Sequence, residues 1–554
     1  MANTFSIKKI LNDRWLIIAL IIGLIIRMAY IAGPVKSDEA STFLGYIESP
    51  NFFRLFLYNQ TNNHIFHNLL TKIFYTIFGF SLPILRLVAF SSGVISIPII
   101  YYICKELKQD GRFAAITLAT FPLYIEYSSN ARGYTLQTLI FLLILLFIIK
   151  SNDIFNNKNS NIISLLVALG TLTIPTFIYV IPGVFIWLFL IHFEKDKGFE
   201  DNLEFLKKLG ILIFKSSFLT FLFFLPVILL PSNLNNIRNL ENLTSVGLID
   251  FISQTIPYIL SNIKYYFNNN NNLLIPFYLI TLGLGYFIYF QEKNKIGLFL
   301  LPSILLGICL IFYIKLSFPG PRTWLFLPSI FIIIADNGFT KLISKLRIKL
   351  KFFVLLLLFS SLTIPLRSYT SSNSPFNIEV DNGFSESYTV MKMIEEFRLD
   401  NKLDYLNIYT NHSNSMSFHM QIWENNYSLK VCDTSVVKKG FFEAYKDDFR
   451  KVFGKDISNL NDNLKKNSEY SYYLHLKNFK NINLGNMITN SNELVDPDEF
   501  FISNLKGTKS IDNSIFTLYR YVSPEFSKCT DTIPSQLPKG LEIHWTSKHK
   551  ILNK

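Results

Sequence analysis

The chain has 554 residues, half of them hydrophobic, with 17% charged, 53 phenylalanines and a mean hydropathy of +0.30. That is too apolar for an ordinary soluble protein, and collagen, disulfide-scaffold and coiled-coil architectures are excluded at once. The net charge is +13, and because the segment from Thr370 onward carries 22 Lys and Arg against 23 Asp and Glu, the first 369 residues hold +14. Basicity concentrated in the apolar part is the positive-inside signature of a multi-spanning membrane protein and not a nucleic-acid footprint.

Long apolar runs such as Trp15 to Ala32 and Ile140 to Ile149 offer no polar face to water. Hydropathy predicts about eleven spans. They fall at 15–33, 81–103, 113–129, 132–150, 161–176, 177–193, 209–231, 273–290, 296–316, 322–336 and 351–368. The first is read as a retained helix, since it lacks a small-residue cleavage site. Lys8, Lys9 and Arg14 put the N-terminus in the cytoplasm. Alternation then makes inside loops of Lys105-Arg112, Lys150-Lys158, Glu194-Lys208, Gln291-Lys295 and the basic stretch Asp336-Lys351. Loops 34–80 and 232–272 lie outside and are too long to be turns.

The tail, 370–554, changes abruptly to Asn, Ser, Lys and Asp, and an odd span count leaves it on the exterior face. Strand-like runs at Leu403-Tyr409, Tyr470-Leu476 and Ser514-Val522, with a helical pattern at Glu386-Arg398, read as a soluble α/β or α+β domain. Cys432 and Cys529 would face an oxidising compartment, but whether they pair stays open. Cys104 and Cys309 lie in spans and read as core residues.

Charged groups at the outer ends of spans are functional candidates, because charge near the bilayer is costly. After the first span comes Lys36-Ser37-Asp38-Glu39, two carboxylates at the membrane surface, or alternatively a helix cap with acidic residues in its first turn. Further on, His64 and His67 stand three apart, suited to hydrogen bonding or, with a carboxylate, to a metal. Glu126, Asn130, Arg132 and Tyr134 emerge together between the third and fourth spans, where pairing or lipid-headgroup contact is the plainer account. Arg322, in Pro-Arg-Thr-Trp, opens the tenth span with Trp324 as an interfacial belt residue. Taken together they suit an anionic lipid phosphate beside a catalytic carboxylate.

This order of features resembles the C-type membrane glycosyltransferases, in the bacterial branch similar to protein O-mannosyltransferases and lipid A aminoarabinose transferases. It comprises Asp-Glu in the first outer loop, an Asn-His segment, Leu-Arg-Leu at the second span, Ala-Arg-Gly-Tyr at the fourth and Pro-Arg before a late span. The resemblance is clearest over 15–150, weaker to 336 and absent from the tail. It implies inverting transfer of a sugar from a polyprenyl-phosphate donor to a glycan, lipid or protein acceptor on the outer face of the cytoplasmic membrane. Asp38 then falls on the family's base, with Glu39 beside it, His64 on its first-loop histidine, and Arg132 and Arg322 on its arginines. A divalent cation is left open, with Asp38 and His64 as the residues that would hold it. Relatives often read Glu-Ala-Arg where this chain has Asn130-Ala131-Arg132, and Glu126 could supply the carboxylate if the helix is continuous there.

The reading is thus a multi-pass α-helical membrane module, 1–369, followed by an exterior soluble domain, 370–554. The rivals are a transporter or flippase for a lipid-linked sugar and a non-catalytic envelope assembly protein. Transporters place charge within broken helices at mid-membrane and often show repeated halves, and no repeated halves are evident.

Overall fold

Apolar runs bounded by glycine, proline and capping residues fold as helices, and they account for most of the described residues. The computed structural model describes residues 13–57 except 32 and 34, 63–230 except 152 and 194–198, 257, 274–345 except 316–320, 387–402, 406–410, 429–433, 470–476, 508–512 and 516–522. The chain divides into two compact units, Met1–Gly33 with Leu55–Phe376, and Pro34–Arg54 with Asn377–Lys554.

In the first unit α1 (Arg14–Tyr30) starts at Asp13, whose carboxylate accepts the Trp15 N–H at 3.0 Å and so satisfies an orphan donor of the first turn. Next come α3 (Ile65–Phe78) and α4 (Leu82–Glu106), the short α2 (Ser37–Thr42) belonging to the second unit. Arg86 in the Leu-Arg-Leu of α4 is buried and donates to the carbonyls of Ile31 at 2.7 Å and Gly33 at 2.8 Å, fixing where the chain leaves α1.

The third expected span is two helices, α5 (Arg112–Thr120) and α6 (Pro122–Ser128). Phe121 is extended, because Pro122 cannot donate to Leu118 and disfavours helical geometry in the residue before it. After a turn at 129–133 follow α7 (Tyr134–Lys150), α8 (Asn157–Thr173), a 3-10 turn (Pro175–Tyr179), α9 (Ile181–His192) and α10 (Phe199–Leu229). Then come α11 (Leu274–Gln291), α12 (Lys295–Lys315), a 3-10 turn (Pro321–Trp324) and α13 (Leu327–Lys345).

Five helical segments among the described residues are long and apolar enough to cross a membrane: Leu82–Glu106, Pro175–His192, Phe199–Leu229, Lys295–Tyr313 and Leu327–Lys345. Tyr134–Lys150 and Leu279–Gln291 are shorter apolar helices. The expected span at 351–368, the basic residues Lys8, Lys9, Arg347, Lys349 and Lys351, and Cys529 lie outside the described residues, as does loop 232–272 apart from Pro257.

Two expectations shift. The tenth span begins at Leu327 and continues to Lys345, so Asp336, read as the start of a basic loop, lies inside α13. Its buried carboxylate accepts the N–H groups of Gly111 at 2.9 Å and Ala114 at 3.0 Å, capping α5 from a helix more than two hundred residues away in sequence. Trp324 is no belt residue: it is 2% exposed and meets Tyr179 and Phe312 edge-on at 5.4 and 5.6 Å. Cys104 is a free, buried thiol, and Cys309 is free and half-buried.

In the second unit α2 (Ser37–Thr42) runs into a π turn at Phe43–Ile47. Helix α14 (Ser387–Asp400) buries Val390, Met391 and Ile394, one stripe at helical spacing. The strands are β1 (Leu406–Thr410), β2 (Leu429–Asp433), β3 (Tyr470–Leu476), β4 (Thr508–Asp512) and β5 (Phe516–Val522), in one mixed sheet of order β2-β1-β3-β5-β4. β1 pairs parallel with β2 and β3, while β5 pairs antiparallel with β3 and β4, with a register shift between Lys509 and Ile511. Ile408, Phe516 and Leu518 are buried.

Candidate active site

Between α6 and α7 the chain makes a turn at Ser129–Gly133, and this turn meets the start of α3. Asn63 prepares the meeting. Its amide donates to the carbonyls of Leu55 at 2.8 Å and Leu57 at 2.7 Å, and its carbonyl accepts from Asn68 at 2.9 Å. The residue that follows, His64, stands at the N-cap position of α3 and is buried, as are His67 and Asn68 in the first turn. His67 Nδ1 lies 3.3 Å from Asn68 Oδ1.

His64 Nδ1 accepts the backbone N–H of Gly133 at 2.8 Å. An amide N–H can only donate, so Nδ1 carries the ring's lone pair and in the neutral ring Nε2 carries the proton. Burial first, then the nearby Arg132, His67 and Arg322, hold the His64 imidazolium well below the usual histidine range, so the neutral ring is the form at pH 7. Gly133 has to be small here. A β-carbon on it would stand 3.0 Å from the Thr173 methyl and 3.1 Å from His64 Nδ1, which gives the glycine of Ala-Arg-Gly-Tyr a steric reason.

His64 Nε2 faces Arg132 Nη2 at 3.4 Å. With the ring proton on Nε2 both groups are donors, so this contact is no hydrogen bond; it sets two N–H donors side by side, and an acceptor on either gains from the charge of the arginine. Arg132 is 1% exposed, so the expectation that it emerges at the surface toward lipid headgroups does not hold. The guanidiniums of Arg132 and Arg322 lie over the Tyr134 ring at 5.7 and 5.9 Å from its centroid. Tyr134 also meets His64 and Tyr127 edge-on, each at 4.9 Å.

The structure therefore brings His64, His67, Arg132, Tyr134 and Arg322 together. Glu126 is buried in α6, but the helix ends at Ser128, so Glu126 and Asn130 do not share the helical face that would let one replace the other. Asn130 is 2% exposed, and among the described residues neither atom of its amide finds a hydrogen-bond partner. Asp38 and Glu39 belong to the second unit. Glu39 is buried and reaches back to the Lys36 N–H at 3.3 Å, a capping role, while Asp38 is half-buried in the first turn of α2.

Around His64 the residues do not form a cation's donor set: its lone pair is used by Gly133 and its neighbours are arginines. Among the described residues no group of three or more His, Cys, Asp or Glu is placed to hold a metal ion. The functional reading missed Arg27 and gave Arg86 no role, though each is an arginine inside an apolar run, which is itself the signal.

Residues 63–223, which span α3 to most of α10, match the family model described as dolichyl-phosphate-mannose-protein mannosyltransferase. No curated protein matches the sequence. Among solved structures, ArnT from Cupriavidus metallidurans is similar in the apo state and bound to undecaprenyl phosphate. Each superposes at a TM-score of 0.50 with 11% identity, covering 91% of this chain and 97% and 98% of theirs. The chain thus has the fold of ArnT, the fold that its sequence resemblance implied.

Proposed function

We propose that this protein is a glycosyltransferase that moves a sugar from a polyprenyl-phosphate donor to an acceptor hydroxyl at the outer face of the cytoplasmic membrane, with inversion. The observation that carries the reading is the adjacent donor pair of His64 and Arg132, with Arg322 over the same tyrosine ring, in a chain whose fold is similar to that of ArnT bound to undecaprenyl phosphate. In the reaction the acceptor oxygen attacks the anomeric carbon opposite the phosphate. The bond from that carbon to the phosphate oxygen breaks, and its electron pair leaves with the phosphate. That leaving group is a stable anion and needs charge neutralisation more than protonation. Arg132 and Arg322 supply positive charge, and neutral His64 adds one N–H. Asp38 takes the proton of the acceptor hydroxyl as general base, and Glu39, whose carboxylate caps α2, orients that segment. The N-terminus is cytoplasmic and the C-terminal domain exterior in this reading.

Arg27 and Asp336 are charges inside apolar helices, the kind of residue on which a transporter reading would rest. Both are engaged by backbone groups, Arg27 by three carbonyls and Asp336 by two N–H groups, which favours the enzyme. The test is purified protein in liposomes with a polyprenyl-phosphate sugar and candidate acceptors. Free polyprenyl phosphate should appear only when both substrates are present. Asp38→Asn should lower turnover by about 10²–10⁴-fold with donor binding retained. Sugar crossing the bilayer with its phosphate bond intact would overturn the proposal.

A further inference from the structure

Helix α5 ends at Thr120 and its last carbonyls lack ladder partners, because the extended Phe121 and Pro122 cannot continue the helix. Arg27 of α1 fills this need. Its Nη1 donates to Ala119 O at 2.8 Å and to Gly23 O at 3.1 Å, and its Nη2 to Leu118 O at 3.3 Å. Its Nε donates to Ser128 Oγ at 2.8 Å. One guanidinium thus holds the last turn of α5 and the last residue of α6, on both sides of the break. A cation at a helix C-terminus is also favoured by the helix dipole.

The slot for this side chain is built into the sequence. A β-carbon on Gly23 would meet Ile97 Cδ1 at 2.5 Å and Arg27 Nη1 at 3.3 Å, and one on Gly93 would meet Ser128 Cβ at 2.5 Å and Arg27 Nε at 3.2 Å. Arg27 is fully buried. Ser128 in turn donates to carbonyls of the preceding turn, among them Ile125 O at 3.1 Å, and the next five residues are the turn that carries Asn130, Arg132 and Gly133.

We infer that Arg27 is a positioning residue, clamping the α5–α6 break so that the Ser129–Gly133 turn holds Arg132 against His64. Its part in donor binding rests on the glycosyl-transfer reading above; its hold on the turn does not.

The test uses the full chain in nanodiscs with Arg27→Met, Arg27→Lys and Ser128→Ala. Hydrogen exchange of peptides covering 129–133 should accelerate at least tenfold in Arg27→Met, with α4 and α7 still protected, and less in Arg27→Lys and Ser128→Ala. Unchanged protection of the turn would overturn the inference. If Arg27→Met does not fold, the two milder variants carry the same comparison. In turnover assays Arg27→Met should raise the donor KM about tenfold and leave the acceptor KM unchanged, whereas simple loss of folded protein would lower kcat alone. Undecaprenyl phosphate titrations of Arg27→Met, Arg132→Ala and the double variant should show that the first change adds nothing once Arg132 is gone. Additive losses would refute the coupling. A wild-type chain that binds no undecaprenyl phosphate would instead sink the transfer reading and leave the exchange result to decide the clamp.

Discussion

The two nitrogens of His64 do different work, and isosteric amides can separate them. Asparagine places its side-chain oxygen where Nδ1 stands, so His64→Asn keeps an acceptor for the Gly133 N–H and loses the donor that faces Arg132. Glutamine reaches the Nε2 position with an NH₂ and leaves Gly133 without its acceptor. A hydrogen bond to a charged group contributes about 1.5–3 kcal/mol, so His64→Asn should bind undecaprenyl phosphate about 10- to 150-fold more weakly at nearly wild-type stability. Leaving a buried backbone N–H unpaired costs about 1–3 kcal/mol, so His64→Gln should melt at lower temperature while retaining more of the affinity. Thermal unfolding in detergent and a lipid-phosphate titration of each variant read the two effects separately. Equal affinity in His64→Asn and wild type would refute the assignment of Nε2–H to the phosphate, and an unshifted melt in His64→Gln would refute the Gly133 contact.

Because burial and the nearby cations hold the His64 pKa well below the usual histidine range, the unfolded chain takes up a proton below about pH 6.5 that the folded chain does not. Stability should therefore fall as pH drops through that value, by at most about 1.4 kcal/mol per pH unit from this group, and His64→Asn should flatten the dependence in a melting series from pH 7.5 to 5.5. Asp336→Ala removes the acceptor of two buried helix N–H groups and should destabilise by about 3 kcal/mol or more in chemical denaturation, with Asp336→Asn near half of that. An unshifted midpoint would mean that water replaces the carboxylate. Asn130→Leu should raise the melting temperature, since it removes a buried amide that has no partner among the described residues and so costs about 1–3 kcal/mol, and should lower turnover; a stabilised variant with full activity would take Asn130 out of the site.

What the sequence made legible follows from which signals are strong. β3 has the same bounds as its alternating run, 470–476, and α14 covers the expected helix because its apolar stripe is regular. The two strands that were not foreseen, β2 and β4, are the edges of the sheet. Edge strands carry charge to discourage further pairing, and Lys430 and Asp433 in one and Lys509 and Asp512 in the other blur the hydrophobic pattern. The break at Pro122 was written in the chain, but hydropathy averages over it, so 113–129 read as one span. In the site, the meeting of His64 with Arg132, Tyr134 and Arg322 was legible. The burial of Arg132 and the choice of tautomer at His64 were not, because both depend on contacts between segments almost seventy residues apart.

A buried charge in an apolar bundle can belong to the scaffold or to a site, and the groups it meets tell which. Arg27, Arg86 and Asp336 each meet backbone groups of opposite polarity, at the end of α5, at the exit of α1 and at the start of α5. These are the irregular places of the bundle, where the ladder leaves carbonyls or N–H groups unmatched, so the charges complete the backbone and have no capacity to change partner during a reaction. His64 and Arg132 are arranged the other way. The only acceptor on the ring is taken by Gly133, and the donor that remains is turned toward a cation. Such a pair gains most when an anion enters between its members, and at that moment the proximity of Arg322 over the same tyrosine ring changes from a repulsion into an attraction. In the proposed transfer the same three side chains meet the lipid phosphate and the charge that develops on it as the glycosidic bond breaks, so the proposal rests on the donor pair and not on any single residue.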